Sequence, residues 1–516
     1  MIRAYDVADI RAAEQAAMAR LPDGTLMQCA AAALAAAVLR MLADRSQGAY
    51  GARVVLLVGP GDNGGDALWA GARLAGRGAR VDALLTGERA HAGGLAALRA
   101  AGGRVHVAGE DQLRPLAQAQ MVVDGLLGIG GRAGLSGRAG DLVAALPDGV
   151  PVVGVDLPSG VGPDDGGLGG AHVRADRTLT FGAAKPGLLL PPAAAVAGHV
   201  EVVDIGLQLP GPPAVERFEV ADLAALWPIP GPDDDKYRRG VLGVVAGGPT
   251  YTGAAVLCTG AAVRCGAGMV RYVGPPAAAD LVRSRWPEVV TGSGRVQAWV
   301  VGPGIDPQDD AQRAAALGAL DSDLPCLVDA GALDLLPLHR PAPTLLTPHA
   351  GELARLLTRL EQGAQGPGVE RADIEAAPLR HARRAGELTG ATVLLKGAVS
   401  LVVSPDGRVR SQADGPHWLA TAGSGDVLAG IAGTLLAAGL SPLDAGTVAI
   451  GLHGAAGYLA SAGSPDGAEA GPGGPADVGR GGRADVGPGG PVSAGAVLDA
   501  LPQAARRLLA QRGTPC

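Results

Sequence analysis

Arg53-Val-Val-Leu-Leu-Val58-Gly-Pro-Gly-Asp-Asn-Gly-Gly-Asp66 is a branched apolar run that stops at a glycine-rich turn. The run has no polar alternation, so it reads as a strand buried on both faces. The amphipathic stretch after it, containing Leu68 and Leu74, reads as a helix. Strand, glycine turn and helix form the repeating unit of an α/β domain with a parallel sheet. Gly59, Gly61 and Gly64 match the spacing of the dinucleotide-binding fingerprint, but no acidic residue closes the next strand, Val81 to Leu85. That match alone decides little. Asn63 and Asp66 carry more information, as two oxygen-bearing side chains projected from the turn.

Further along, Met121 to Val123 end in Asp124 and a glycine-rich sequel, and Pro151 to Val155 run into Asp156-Leu-Pro-Ser159-Gly160. Ligands bind at the carboxyl ends of strands in open parallel sheets. Asn63, Asp124 and Ser159 would therefore converge as hard oxygen ligands, suited to a monovalent or hard divalent cation rather than zinc. Taken singly, each could equally cap its own turn. Ala8 to Ala19 and Leu26 to Leu42 read as packing helices without chemistry. Arg has displaced Lys throughout, leaving only Lys185, Lys236 and Lys396, and the one asparagine is Asn63. Such survivors mark places where a compact ammonium serves and a planar guanidinium does not.

Val58-Gly-Pro-Gly-Asp-Asn-Gly-Gly-Asp66, Asp124 with its glycines, Asp156-Leu-Pro-Ser-Gly160 and Phe181-Gly-Ala-Ala-Lys-Pro-Gly187, in this order, resemble the NAD(P)H-hydrate epimerase domain of the YjeF N-terminal family. The resemblance covers residues 1–215 and implies a Rossmann-like fold. It implies that Asp62, Asn63, Gly64, Gly65 and Asp66, the loop Gly128, Ile129, Gly130, Gly131, Arg132, Ala133 and Gly134, and Asp156 hold the hydrated dinucleotide. It further implies that Lys185 is catalytic and that Asn63, Asp124 and Ser159 bind K+. Asp62 and Ala67 stand where the family usually has Asn and Gly.

Residues 216–235 are proline-rich, end in Asp233-Asp-Asp235 and read as a linker. Beyond them α/β alternation resumes, with strands at Val241 to Ala246, Trp299 to Val301, Cys326 to Val328, Thr344 to Leu346 and Val393 to Leu395. Thr421-Ala-Gly-Ser-Gly-Asp-Val-Leu-Ala-Gly430 reads as a helix N-terminus that holds an anion beside a carboxylate base. A carboxylate in a first helical turn also simply stabilises the helix dipole. No lysine follows a glycine, which excludes a Walker phosphate loop.

Lys236-Tyr-Arg-Arg-Gly240, Thr252-Gly-Ala-Ala255, Gly302-Pro-Gly304, Thr347-Pro-His-Ala-Gly-Glu352, Leu395-Lys-Gly397 and Gly423 to Gly430 resemble the NAD(P)H-hydrate dehydratase family, whose fold is ribokinase-like. The resemblance runs from about 236 to 510, within a domain placed at 236–516. It implies hydrate binding by Ala254, Gly304, His349 and Asp426, and adenine-nucleotide binding by Lys396, Gly397, Ala398, Val399, Ser400 and Gly425. It makes Asp426 the catalytic base, ADP the co-substrate and Mg2+ the accompanying ion. Gly331 stands where the family usually repeats the aspartate of Asp329. Residues 463–492, rich in Gly and Pro, read as a disordered insert before a last helix, Ala496 to Leu509.

The expectation is a bifunctional enzyme that interconverts the R and S hydrates of NADH and NADPH, then dehydrates the S form with ADP, releasing AMP and phosphate. The alternative is a vitamin or sugar-alcohol kinase with a non-catalytic first half. A net charge of −7 over 516 residues, with no basic run, argues against a nucleic-acid partner. Five cysteines without Cys-x-x-Cys spacing fit a reducing cytoplasm. The longest apolar run, Cys29 to Leu39, falls short of a bilayer, so no membrane partner is expected, and a homo-oligomer is.

Overall fold

The computed structural model describes residues 1–45, 48–107, 113–361, 368–462 and 489–512, so the expected insert lies outside the described residues as far as 488. Two compact units emerge, one built on Ile2–Glu216 and the other on the chain from Arg217.

The first unit carries β1 (Ile2–Ala4), β2 (Arg53–Val58), β3 (Arg80–Leu85), β4 (Arg104–Val107), β5 (Met121–Gly125), β6 (Val152–Val155), β7 (Arg177–Phe181) and β8 (His199–Val203). Seven of them form a parallel sheet in the order β4-β3-β2-β5-β6-β7-β8. The sheet explains the unbroken apolar run of β2. Val54, Leu56 and Val58 enter the core on one face, and Val55 and Leu57 enter the core on the other. Each such burial contributes about 1.5–3 kcal/mol. The strand order reverses between β2 and β5, and ligands of open α/β sheets bind at that crevice. The chain is tight there, since a Cβ on Gly59 would fall 1.8 Å from the Leu126 carbonyl oxygen.

The chain passes from the first unit to the second within β9 (Val215–Arg217), and the second unit carries β10 (Val241–Val245), β11 (Met269–Tyr272), β12 (Val290–Thr291), β13 (Ala298–Val301), β14 (Cys326–Val328), β15 (Thr344–Leu346), β16 (Thr392–Leu395), β17 (Ser400–Val403) and β18 (Val409–Gln412). Their order is β18-β17-β16-β15-β14-β13-β10-β11-β12, parallel from β12 to β16 with β17 and β18 antiparallel. The helix Ser424–Ala437 lies in the core against the helix Thr252–Arg264. A Cβ on Gly430 would stand 2.3 Å from the Cys258 carbonyl oxygen, so glycine lets the two helices approach.

Three expectations need correction. Residues 216–235 are not linker throughout: Val220–Leu226 is a helix closed by a Glu219/Asp222 capping box, and Phe218, Leu223, Ala224 and Trp227 are buried in the second unit's core. Only the proline-rich remainder lacks helix and strand. The segment 62–66 is the first turn of the helix Asp62–Ala75 rather than a loop, closed by Gly65 N donating to Gly61 O at 3.2 Å. The helix expected over Leu26 to Leu42 spans Thr25–Asp44, and by length and composition alone it could cross a membrane. In this unit its Ala30, Leu34, Val38 and Leu42 pack with Leu68 and Leu74.

Candidate active sites

In the first unit, the ends of β5 and β6 are stitched together by one buried carboxylate. Asp124 Oδ1 accepts from Ser159 Oγ at 2.7 Å and from Leu126 N at 3.2 Å, and Oδ2 accepts from Ser159 N at 2.8 Å. Burial pushes the Asp124 carboxyl up to about 6, against the pull of those donors. Among the described residues no cationic side chain pairs with Asp124, so a bound cation could offset the cost of burying its charge. Asn63 joins from the helix start. Its Nδ2 donates to Val155 O at 2.6 Å, which engages the amide nitrogen. Gly128 packs on that amide so closely that a Cβ would fall 2.2 Å from Asn63 Oδ1. Asp124 and Ser159 are in direct contact and Asn63 is bonded to the end of β6, so oxygens of these three residues could hold K+.

Beside it, Lys185 is buried and pairs with Asp156, with further bonds from Nζ to Thr180 Oγ1 at 3.0 Å and Phe181 O at 3.3 Å. Asp156 takes a left-handed backbone, φ 66°, which Asp tolerates better than most residues and which turns its carboxyl back toward β7. Asp66 is buried and its Oδ1 has no hydrogen-bond partner. Burial, reinforced by the charges of Asp156, Asp62 and Glu14 and opposed by Lys185, raises the Asp66 carboxyl well above its ordinary value. The loop 128–134 is held at both ends, by Gly131 N to Gly128 O at 2.8 Å and Gly134 N to Gly160 O at 2.9 Å, and leaves Arg132 and Ala133 exposed.

In the second unit, the carboxyl ends of β13, β14, β15 and β16 deliver Gly302 to Gly304, Asp329, Thr347 to His349, and Lys396 to one end of the sheet. Gly302 lies against Asp329, and a Cβ there would stand 1.8 Å from the Asp329 carbonyl oxygen. Gly304, with φ 66°, brings its backbone to Ala254, whose Cβ would meet a Gly304 Cβ at 2.6 Å. Lys396 Nζ donates to Asp329 Oδ1 at 2.8 Å and stands 3.8 Å from Glu352 Oε2. Burial alone would lower the Lys396 ammonium, but Asp329 and Glu352 outweigh it and the ammonium is held above its ordinary value.

Gly423 takes φ 84° as the N-cap of Ser424–Ala437, and a Cβ on Gly425 would reach 3.5 Å from Lys396 Nζ. Asp426 sits in that helix's first turn. Burial and the neighbouring Asp329 charge push its carboxyl up to about 7, with Lys396 pulling the other way. A carboxyl balanced near neutrality in the first turn of a helix can act as a general base next to an anion. His349 caps the helix Ala350–Leu360 by accepting from Gly351 N at 3.1 Å and Glu352 N at 3.2 Å through Nδ1. Its other nitrogen thus carries the proton and can donate to a ligand. Gly397, Ala398 and Val399 form the turn between β16 and β17, with Ser400 Oγ donating to Gly397 O at 3.1 Å.

Residues 23–187 match the family of YjeF-related protein N-termini, and residues 242–466 match the NAD(P)H-hydrate dehydratase family. The bifunctional NAD(P)H-hydrate repair enzyme Nnr of Mycobacterium leprae is 47% identical over 483 residues, 91% of this chain and 95% of that protein. The chain belongs to the bifunctional NAD(P)H-hydrate repair enzyme family. A relative of the same name from Corynebacterium glutamicum is 36% identical, over 85% of this chain and 88% of its own. An ADP/ATP-dependent NAD(P)H-hydrate dehydratase structure from Bacillus subtilis, co-crystallized with ATP/Mg2+, is 23% identical, with TM-score 0.47, and covers 57% of this chain and 99% of its own.

Sequence reading missed several members of these sites. Glu352 was seen only as the end of a motif, yet it shares Lys396 with Asp329. Arg11, on a helix given no chemistry, donates from Nη2 to Ile129 O at 3.3 Å in the loop 128–134. His453 faces Ser424 Oγ at 3.1 Å behind the anion-binding turn, and burial pulls its imidazole down to about 4, so it is neutral there. No local pattern around Arg11 or His453 announces these contacts.

Proposed function

We propose that this chain repairs hydrated NADH and NADPH, epimerising the R and S hydrates in its first unit and dehydrating the S form with ADP in its second. The observation that carries the reading is Asp426, a half-buried carboxyl balanced near neutral pH in the first turn of a helix, beside Lys396. A hydrated nicotinamide bears a hydroxyl on ring carbon 6 beside the ring nitrogen, whose lone pair can expel a leaving group. Hydroxide leaves poorly and phosphate leaves well. Asp426 takes the hydroxyl proton as the oxygen attacks the terminal phosphorus of ADP, and AMP departs. The N–H groups of Gly423 to Gly425 stabilise the charge on the transferred phosphoryl, phosphate then leaves with the carbon–oxygen bond's electron pair to give an iminium, and loss of a proton from ring carbon 5 yields the dihydronicotinamide.

His349, Ala254 and Gly304 line the hydrate side, while Lys396 to Ser400 and Gly425 hold the nucleotide. Asp329, Glu352 and Asp426 outnumber the one ammonium among them, a charge balance suited to a nucleotide that brings Mg2+. In the first unit Asp62 to Asp66, the loop 128–134 and Asp156 hold the dinucleotide, and buried Lys185, paired with Asp156, is the catalytic residue. Asn63, Asp124 and Ser159 hold K+, which supplies the positive charge that buried Asp124 lacks.

Purified R hydrate supplied with ADP and Mg2+ tests both halves together. NADH, AMP and phosphate should appear in equal amounts until the R form is exhausted. Turnover of S hydrate alone, with R left at its spontaneous rate, would remove the epimerase. A kinase of vitamins or sugar alcohols would instead phosphorylate such alcohols and leave hydrated NADH untouched.

A further inference from the structure

The turn proposed to hold the transferred phosphoryl offers the fold few handles. Gly423 and Gly425 carry no side chain, and Asp426 is committed to the reacting hydroxyl, so Ser424 is the one side chain by which the rest of the domain can grip it. Ser424 is buried, and its Oγ lies 3.1 Å from Nε2 of His453, which is buried too.

His453 stands on a firm support. Its helix, Pro442–Ser461, puts Val448, Ala449, Leu452 and Ala456 into the core. The same helix meets the chain that leads into the turn: a Cβ on Gly454 would fall 2.4 Å from the Asp414 carbonyl oxygen, and one on Gly457 would fall 2.9 Å from Leu419 Cδ2. Two further helices, Thr252–Arg264 and Ala494–Ala510, close on the turn itself, since a Cβ on Gly423 would stand 2.6 Å from Leu257 Cδ1 and 3.1 Å from Ala494 Cβ. Burial pulls the His453 imidazole down to about 4, against a hydrogen bond to the Ser424 backbone and with the Lys396 charge adding to the fall. A neutral imidazole has one nitrogen that donates and one that accepts, and a hydroxyl can turn to match either. What His453 supplies is a fixed hydrogen bond without a charge.

We infer that His453 is a positioning residue of the dehydration, holding Ser424 so that the N–H groups of Gly423 to Gly425 and the Asp426 carboxyl keep the geometry that phosphoryl transfer requires. Glycines at 423 and 425 let the backbone approach a phosphoryl group, but the same freedom lets the turn drift. Donors that must wait where charge develops lose their worth when misplaced, and a shift of about 1 Å costs roughly 10²-fold in rate. A hydrogen bond to Ser424 from a core helix removes that freedom without occupying the ligand's place. The inference rests on the dehydratase reading of the second unit.

The test uses the full chain with S hydrate, ADP and Mg2+, and measures kcat and KM beside thermal unfolding. Wild type must first form NADH from S hydrate; if it does not, the dehydratase reading fails rather than the role of His453. His453→Leu, which keeps an apolar side chain but no hydrogen-bonding group, should lower kcat by roughly 10- to 100-fold with KM for S hydrate little changed. His453→Gln places an amide where Nε2 stood and should recover most of that rate. Ser424→Ala should lower kcat as well. Combining Ser424→Ala with His453→Leu should be no worse than the slower single change, to within about threefold, because both cut one interaction. A His453→Leu variant that melts earlier yet keeps kcat within about threefold of wild type, a His453→Gln variant as slow as His453→Leu, or single effects that multiply in the double variant would overturn the assignment. Ser424→Ala deletes only a hydroxyl and carries the test if His453→Leu does not fold: wild-type kcat in that variant would overturn the assignment too.

Discussion

Lys396 Nζ donates to Asp329 Oδ1 at 2.8 Å, joining the ends of two strands that are not neighbours, β16 and β14. The strand between them, β15, adds Pro348, whose carbonyl accepts from Lys396 N at 2.9 Å. The ammonium is thereby fixed beside Gly425 and the helix start, where the nucleotide's phosphates are proposed to lie.

This setting explains why lysine survived at this position. A guanidinium is broader and planar, and would have to displace either Asp329 or the glycine turn. Lys396→Arg should therefore lower kcat/KM for ADP by roughly tenfold or more while leaving epimerisation intact, as steady-state phosphate release will report.

Asp426 makes a pH forecast whose sign follows from the shift. A base raised to about 7 is protonated and idle below that pH and competent above it. The dehydration rate should climb through neutrality and flatten above it. Asp426→Asn should lose that limb and fall by roughly 10²- to 10⁴-fold, because Asn cannot take the proton. If Asp426 merely caps its helix, Asn will serve nearly as well. NADH formation from S hydrate with ADP, measured between pH 5.5 and about 8.5, separates the two.

At the cation site, Asn63→Ala is the cleaner probe. Removing Asp124 would strand the Ser159 and Leu126 N–H donors, at about 1–3 kcal/mol for each unmade bond. Asn63→Ala should weaken epimerisation and its response to potassium, with dehydration unaffected. Equal epimerisation by wild type and variant in potassium-free buffer and in potassium would remove the site.

Gly331 stands where the related enzymes are expected to carry a second aspartate, and here the backbone has closed on the position. A Cβ would fall 2.5 Å from the Ile305 carbonyl oxygen. Gly331→Asp should cost about 1–3 kcal/mol of stability, the usual scale of overpacking, rather than restore a ligand. Thermal unfolding against wild type, alongside the dehydration rate, checks both halves of that statement.

The pattern that was legible along the chain was local in kind. The apolar run Arg53–Val58, its glycine turn and the helix after it gave the α/β unit, because burial on both sheet faces removes polar alternation within a single strand. Asn63, Asp124, Ser159, Lys396 and Asp426 stood out because each sits at a strand end or helix start, a position that sequence marks with glycine. The resemblance of those motifs named the family. What remained hidden depended on residues meeting across long stretches of chain. The helix at Val220–Leu226 looked like linker because its core partners come from the second unit's distant helices. Glu352 gained its place through Lys396, and His453 through Ser424, 29 residues earlier. Arg11 found its role 118 residues from its acceptor. A side chain's chemistry is written in its own type, but its pKa and its partners arise from burial and charge brought in by other strands, and only the folded sheet assembles those.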